Sequence, residues 1–315
     1  MLKIGSVSID VSHPKAFATI MEERCMDMRY IYTCKESFRT QEEAEWFAKR
    51  FGMKGVVEKV EDMVDEVDIG FIQSCNWEKH LEQAMPFIEK GKPVFIDKPM
   101  VGTVRDAKKV RELIKNGAKI IGSSSIRHCK EIRNFLAIPV EQRGEVVSIF
   151  GVCGANEFDY AIHVVGSLSE LAQSKAVSNR YVGCGVGPNG EKCEMFTVAY
   201  ENGVAATYCT YLSGWRSGSI TVVTTKGVYN FIAITDCYEN LLCEIYHEMV
   251  DGKSRLVDVE TILNCCETLI AGKKSRDQRN GAEVKITDLE DDDKFDGYAF
   301  EEKYAQNADR TLYKD

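Results

Sequence analysis

From its start to about residue 120 the chain alternates short apolar runs with amphipathic stretches of helical period, and this limits the fold more than any other feature. The apolar runs are Leu2 to Ile9, Met28 to Thr33, Val67 to Gln73, Pro93 to Ile96 and Lys119 to Gly122. Helical patterns lie between them. Phe17, Ile20 and Met21 follow a capping Ser12, and Ala44, Phe47, Ala48 and Phe51 follow Thr40. Leu81, Ala84, Met85 and Ile88 form a third face, in which Pro86 is expected to kink or shorten the helix. Val104, Ala107, Val110 and Ile114 form a fourth, capped by Thr103. Thr40 and Glu43 have the spacing of a capping box, and Gly52 and Gly117 stand where helices stop. Val67 to Gln73 is continuously apolar, as a strand covered on both faces must be. Strands that alternate with helices pair in parallel, so residues 1–122 are read as a doubly wound parallel sheet.

After residue 122 the pattern changes. Glu145 to Cys153 reads as a strand and Glu157 to Leu171 as a helix. Met195 to Glu201 and Val204 to Leu212 flank Asn202-Gly203, a strong hairpin signal, and Ile220 to Thr224 and Val228 to Ile234 flank Lys226-Gly227. Helical segments at Leu241 to Met249 and Ile262 to Ile270 follow. Residues 123–315 are therefore expected to form an α+β domain with a mainly antiparallel open sheet, helices on one face and a second copy of the chain on the other. The tail from Asp288 to Asp315 is acidic and polar, which suggests an extended wrap with Asp291, Asp292 and Asp293 solvated.

The balance of 40 basic against 49 acidic side chains, a net charge of −9, disfavours nucleic acid as a partner. No apolar run reaches the roughly 18 residues a bilayer span needs, so no membrane partner is expected. The first residues lack the basic-then-apolar pattern of a signal peptide. The 12 cysteines include no Cys-x-x-Cys pair. Reduced thiols, a cytoplasmic protein and no metal site are the reading that follows.

The first strand-to-helix turn is where a dinucleotide fold binds pyrophosphate against free N–H groups. Here the segment from Gly5 and Ser6 to Ser12 and His13 lacks the Gly-x-Gly-x-x-Gly pattern, with only Gly5 available. Ser12 and the amides beside His13 are candidate phosphate ligands; the alternative is a plain cap and an exposed histidine. At the end of the second strand, where an acid normally bonds the adenosine ribose, stand Cys34 and Lys35. Lys35, with Arg39, is placed for a 2′-phosphate or is a surface lysine, so NAD and NADP both remain open.

Asp97-Lys98-Pro99 directly after an apolar strand is unusual for packing alone, and the carboxyl end of a parallel strand faces the ligand crevice. With Cys75, Asn76 and the following His80, this stretch resembles the Gfo/Idh/MocA oxidoreductase family, whose Glu-Lys-Pro motif has Asp97 in place of Glu here. Asp159 and His163, four apart, are read as sharing one face of a helix and resemble the family's Asp-x-x-x-His pair. The aspartate usual three residues after that histidine is Gly166, and Arg127 stands where the family has an arginine after its last dinucleotide-domain strand.

The resemblance implies a Rossmann domain followed by a substrate and oligomerisation domain, and a homo-oligomer, dimer or tetramer. It implies an NAD(P)-dependent dehydrogenase acting on a sugar, cyclitol or polyol. Lys98, His163 and Asp159 are then catalytic, and Lys98, Arg127, Asp159 and His163 contact substrate. Gly5, Ser6, Ser12, His13, Cys34, Lys35, Cys75, Asn76, His80, Asp97 and Lys98 contact the cofactor. His80 has an equal claim to packing or capping. Some relatives use transient oxidation for redox-neutral lyase or glycosidase chemistry, and others are sugar-sensing regulators without catalysis. His128, His247 and Trp215-Arg216 are weaker candidates.

Overall fold

The computed structural model describes residues 1–36, 38–232 and 235–314. In chain order the first elements are β1 (Leu2–Val7), α1 (His13–Glu23), β2 (Met28–Cys34), α2 (Gln41–Arg50), β3 (Gly55–Val57), α3 (Glu61–Val64), β4 (Ile69–Ile72), α4 (His80–Glu89), β5 (Val94–Ile96), α5 (Val104–Lys115) and β6 (Ile120–Gly122). Six parallel strands take the order β3-β2-β1-β4-β5-β6, the doubly wound arrangement read from the alternation. Ile69, Phe71 and Ile72 are wholly buried, as expected of a strand with helices on both sides.

Local chemistry accounts for the helix ends. Thr40 accepts from Glu43 N while Glu43 bonds back to Thr40 N, a complete capping box, and Thr103 accepts from Asp106 N. Ser12 departs from expectation: it holds the cap position of α1 in an α-helical conformation, exposed, with no side-chain bond to the helix. α4 runs unbroken through Pro86, and its buried face is His80, Gln83, Ala84 and Phe87, one position round from the apolar stripe. In α5 the fourth core position is Leu113 rather than Ile114, which is exposed.

The remaining elements are α6 (Lys130–Ala137), α7 (Val140–Arg143), β7 (Val146–Gly154), α8 (Ala161–Ala172), β8 (Ala176–Val186), β9 (Lys192–Tyr200), β10 (Ala205–Tyr211), β11 (Arg216–Thr224), β12 (Val228–Ile232), α9 (Cys237–Val250), α10 (Val259–Gln278), β13 (Val284–Lys285) and α11 (Gly297–Asn307). The second sheet has the order β12-β11-β7-β10-β9-β8-β13. Both hairpins form as read, β9 with β10 and β11 with β12. The central pair β7 and β10 is parallel, the one exception among the pairings described. Ala233 and Ile234, the end of the strand read to residue 234, lie outside the described residues, as does Asp315. α8 lies over β7, where Gly151 leaves room for Val164, and α10 lies over β8 and β9, where Thr268 O accepts from Asn179 Nδ2 at 2.8 Å.

The chain divides into two compact units. The first holds residues 1–123 together with 242–259 and the segment from Asp296 on; the second holds 124–241 and 260–295. Two segments beyond the boundary expected at 122/123 thus pack with the first unit. The tail is not the extended wrap expected of it. Asp296 accepts from Ala299 N and starts α11, and Asp293 is buried against the Lys274 ammonium at 2.7 Å instead of solvated.

Candidate functional site

In the first unit β1 lies between β2 and β4, the switch point at whose carboxyl edge open α/β sheets hold ligands. Gly5 is inside β1, not in the turn; a Cβ there would fall 2.7 Å from Met63 Sδ, so packing demands the glycine. The turn itself places Ser8 at φ 70°, a left-handed conformation that favours glycine. Ser6 is buried beneath it and bonds Ser8 O. Asp10 is wholly buried in this turn, its carboxylate accepting Cys75 N at 3.0 Å and its carbonyl accepting Arg39 Nη2 at 3.1 Å.

His13 opens α1 and is buried, not an exposed loop residue. Its Nδ1 lies 2.5 Å from Asp97 Oδ2 and its ring stacks on Phe17. The other oxygen of Asp97 accepts Lys98 N at 2.7 Å. Burial acts to raise the pKa of Asp97, but the His13 imidazole and the Lys98 ammonium outweigh it and hold the carboxyl below its ordinary value. The Asp-Lys-Pro turn is thereby tied to the first strand-to-helix turn, with Lys98 half-buried beside it.

His80, read as a cofactor contact or a packing residue, opens α4. It is wholly buried, with Nε2 2.9 Å from Ser74 O and Nδ1 3.2 Å from Met100 O. Burial lowers its pKa against the opposing pull of those two carbonyls, which face both ring nitrogens. Cys34 ends β2 as a neutral thiol, pushed up to about 12 by burial and by Glu36, with Lys35 half-buried after it. Asn76 is buried, and its Nδ2 donates to Glu301 Oε2 at 2.9 Å. The donor atoms of Asp10, Cys75 and Glu301 fall within 4.8 Å of one another, but the Lys79 ammonium already holds Glu301 at 2.7 Å.

In the second unit His163 sits in the first turn of α8, 5 % exposed, with Nδ1 2.7 Å from Ser124 Oγ. Asp159 lies in the turn before α8, so the pair read onto one helix face has its acid outside the helix. Arg127 is directed at Glu170, 3.1 Å away, and at Cys265 Sγ. Gly166 lies against Ser124 and Arg127, one turn from Glu170. Ser124 is a neighbour of His163 that the sequence did not reveal, since nothing in a serine triplet marks which hydroxyl meets an imidazole 39 positions away. Among the weaker candidates His128 is buried, and His247 is exposed beside Asp251. Trp215 is exposed, and Arg216 lies over Tyr211.

Residues 37–125 match the model of the Gfo/Idh/MocA family, described as an oxidoreductase family with an NAD-binding Rossmann fold. Solved structures share the fold well beyond that segment. A probable dehydrogenase from Thermotoga maritima is 14 % identical, with a TM-score of 0.78 over 92 % of this chain and 100 % of that one. The scyllo-inositol dehydrogenase of Lactobacillus casei, solved with NAD(H) and scyllo-inositol, is 17 % identical, with a TM-score of 0.76 over 91 % and 99 %. The myo-inositol dehydrogenase of the same organism, in complex with NAD(H) and myo-inositol, is 14 % identical, with a TM-score of 0.74 over 90 % and 96 %. No curated protein matches the sequence significantly. In the first unit, residues of the C-terminal segment pack on the segments that follow β1, β2 and β4.

Proposed function

We propose that the protein is an NAD(P)-dependent oxidoreductase that moves a hydride to or from a secondary alcohol carbon of a sugar, cyclitol or related polyol. The NAD-binding family of residues 37–125 supports this, as do the inositols held by proteins of the same fold. The observation that carries it is the buried His163 with its ring fixed by Ser124. When Nδ1–H donates to Ser124 Oγ, the lone pair lies on Nε2, the nitrogen that would take the hydroxyl proton. Lys98 is proposed to hydrogen-bond a substrate oxygen and stabilise the negative charge that develops on it. Asp159 is proposed to orient the imidazole, directly or through a water. The bound dinucleotide supplies the redox step. It would be held by the turn from Ser8 to His13, by Cys34 and Lys35, by Cys75 and Asn76, and by the Asp97–Lys98 turn. The protein is further proposed to work as a homo-oligomer in a reducing cytoplasm, where its cysteines, all free, stay reduced. Among the described residues no helix is long and apolar enough to cross a membrane.

Turnover on a polyol panel with NAD and NADP tests the assignment. Lys98→Ala and His163→Ala should each lower kcat by about 10² to 10⁴, the scale of a positioned acid or base. Ser124→Ala should shift the pH profile of kcat/KM, because the tautomer is no longer fixed. Full activity in both the lysine and histidine variants would overturn the roles.

A further inference from the structure

The C-terminal segment packs on the loops and helices that follow three adjacent parallel strands. Phe300 lies on Trp77, after β4, with ring centroids 4.9 Å apart, and Tyr304 lies on Phe38, after β2, at 6.1 Å. Tyr313 is 1 % exposed; it packs on Phe47 of α2, and its hydroxyl donates to Val11 O, after β1, at 3.1 Å. β2, β1 and β4 are neighbours in the sheet, and their carboxyl ends surround the switch point.

The polar contacts have one pattern. Lys79 Nζ is 2.7 Å from the Glu301 carboxylate, Arg39 Nη1 donates to Asp309 O at 2.8 Å, and Lys15 Nζ donates to Leu312 O at 2.6 Å. Three cations from three different parts of the rim thus receive acceptors from one segment. A diphosphate bound at this edge would draw on the same kind of donor. We infer that the segment from Asp296 to Lys314 is a strap that competes with the dinucleotide for this edge, so that cofactor binds only when the strap lifts. The inference rests on the dinucleotide reading proposed above.

The way the strap is seated suits release. It is pinned near its ends, by Gly297 against Asn76 and by the buried Tyr313. Between them α11 has no other fully buried residue. A ligand that binds only the open form has its apparent affinity reduced by the open fraction, so loosening a pin should tighten binding.

Calorimetric titration of the full chain with NAD, NADH and NADP tests this in the wild type, Tyr313→Ala and Glu301→Gln. Both variants should bind at least about tenfold more tightly than wild type. Trypsin should cut at the exposed Lys303 and Arg310 faster with dinucleotide present than without it. Glu301→Gln changes a half-buried side chain and carries the test if Tyr313→Ala does not fold. Equal affinity in wild type and variants, with cleavage unchanged or slowed by dinucleotide, would overturn the strap and leave the cofactor reading standing. If none of the three proteins binds any dinucleotide, the cofactor reading itself falls, and the strap with it.

Discussion

His128 is buried beside Arg127 and Arg133, and burial followed by those two cations pushes its pKa from 6.5 down to about 3. The unfolded chain therefore binds a proton below pH 6.5 that the folded chain refuses. Stability is fully present above that pH and is lost as pH falls toward 3, by about 2 kcal/mol at pH 5. Asp97 acts in the same sense at lower pH, since its folded pKa lies below the ordinary value. Urea midpoints at pH 7 and pH 5 should show the loss, and His128→Gln should flatten it. An unchanged pH dependence in that variant would rule out His128 as the source. At this scale the sequence is readable where chemistry is carried by residue type and local order. Lys98 after an apolar strand and His163 near a helix start are such cases. Partners fixed by the fold are not readable: Asp97 meets His13 across 84 positions, and the two carbonyls that face His80 are named by no local pattern.

Elements were legible wherever one period ran without interruption. The six parallel strands and the two hairpins are cases in point, because period-two and helical patterns are local properties of the chain. The parallel β7–β10 pairing was not, because it joins strands separated by α8 and a further pair of strands, and turn signals describe only neighbours. α4 shows another limit. Its apolar stripe predicted Leu81 and Ile88 as core, but the helix turns His80 and Phe87 inward because β4 presents Gly70, where Phe87 fits. A Cβ at Gly70 would fall 2.6 Å from the Phe87 ring, whereas one at Gly55 in β3 would meet nothing within 4 Å. Gly70→Ala should therefore cost about 1–3 kcal/mol by overpacking, while Gly55→Ala should be neutral or slightly stabilising. Denaturant midpoints of the two variants compare them directly, and equal effects would show that the β4–α4 contact yields.

On the scale of the whole molecule, the second sheet presents two unlike faces. One lies under α8 and α10. On the other, Phe150, Met195, Val228 and Ile232 are between 41 % and 60 % exposed, and Cys209 and Thr221 lie among them in register. Exposed large apolar side chains gathered on one sheet face, here interspersed with Thr221 and Asn230, suit contact with another protein. A second copy of the chain is the expected occupant, since the same sheet on two protomers makes a self-complementary two-fold interface. Light scattering behind size exclusion should report a dimer or a multiple of it. Phe150→Glu combined with Met195→Glu should shift that mass toward the monomer, because each copy then places a charge opposite its own image. Both substitutions lie in the second unit, so dinucleotide affinity should stay the same in the double variant. A wild-type mass of one chain at micromolar concentration would refute the interface, and unaltered oligomers in the double variant would move it to another surface.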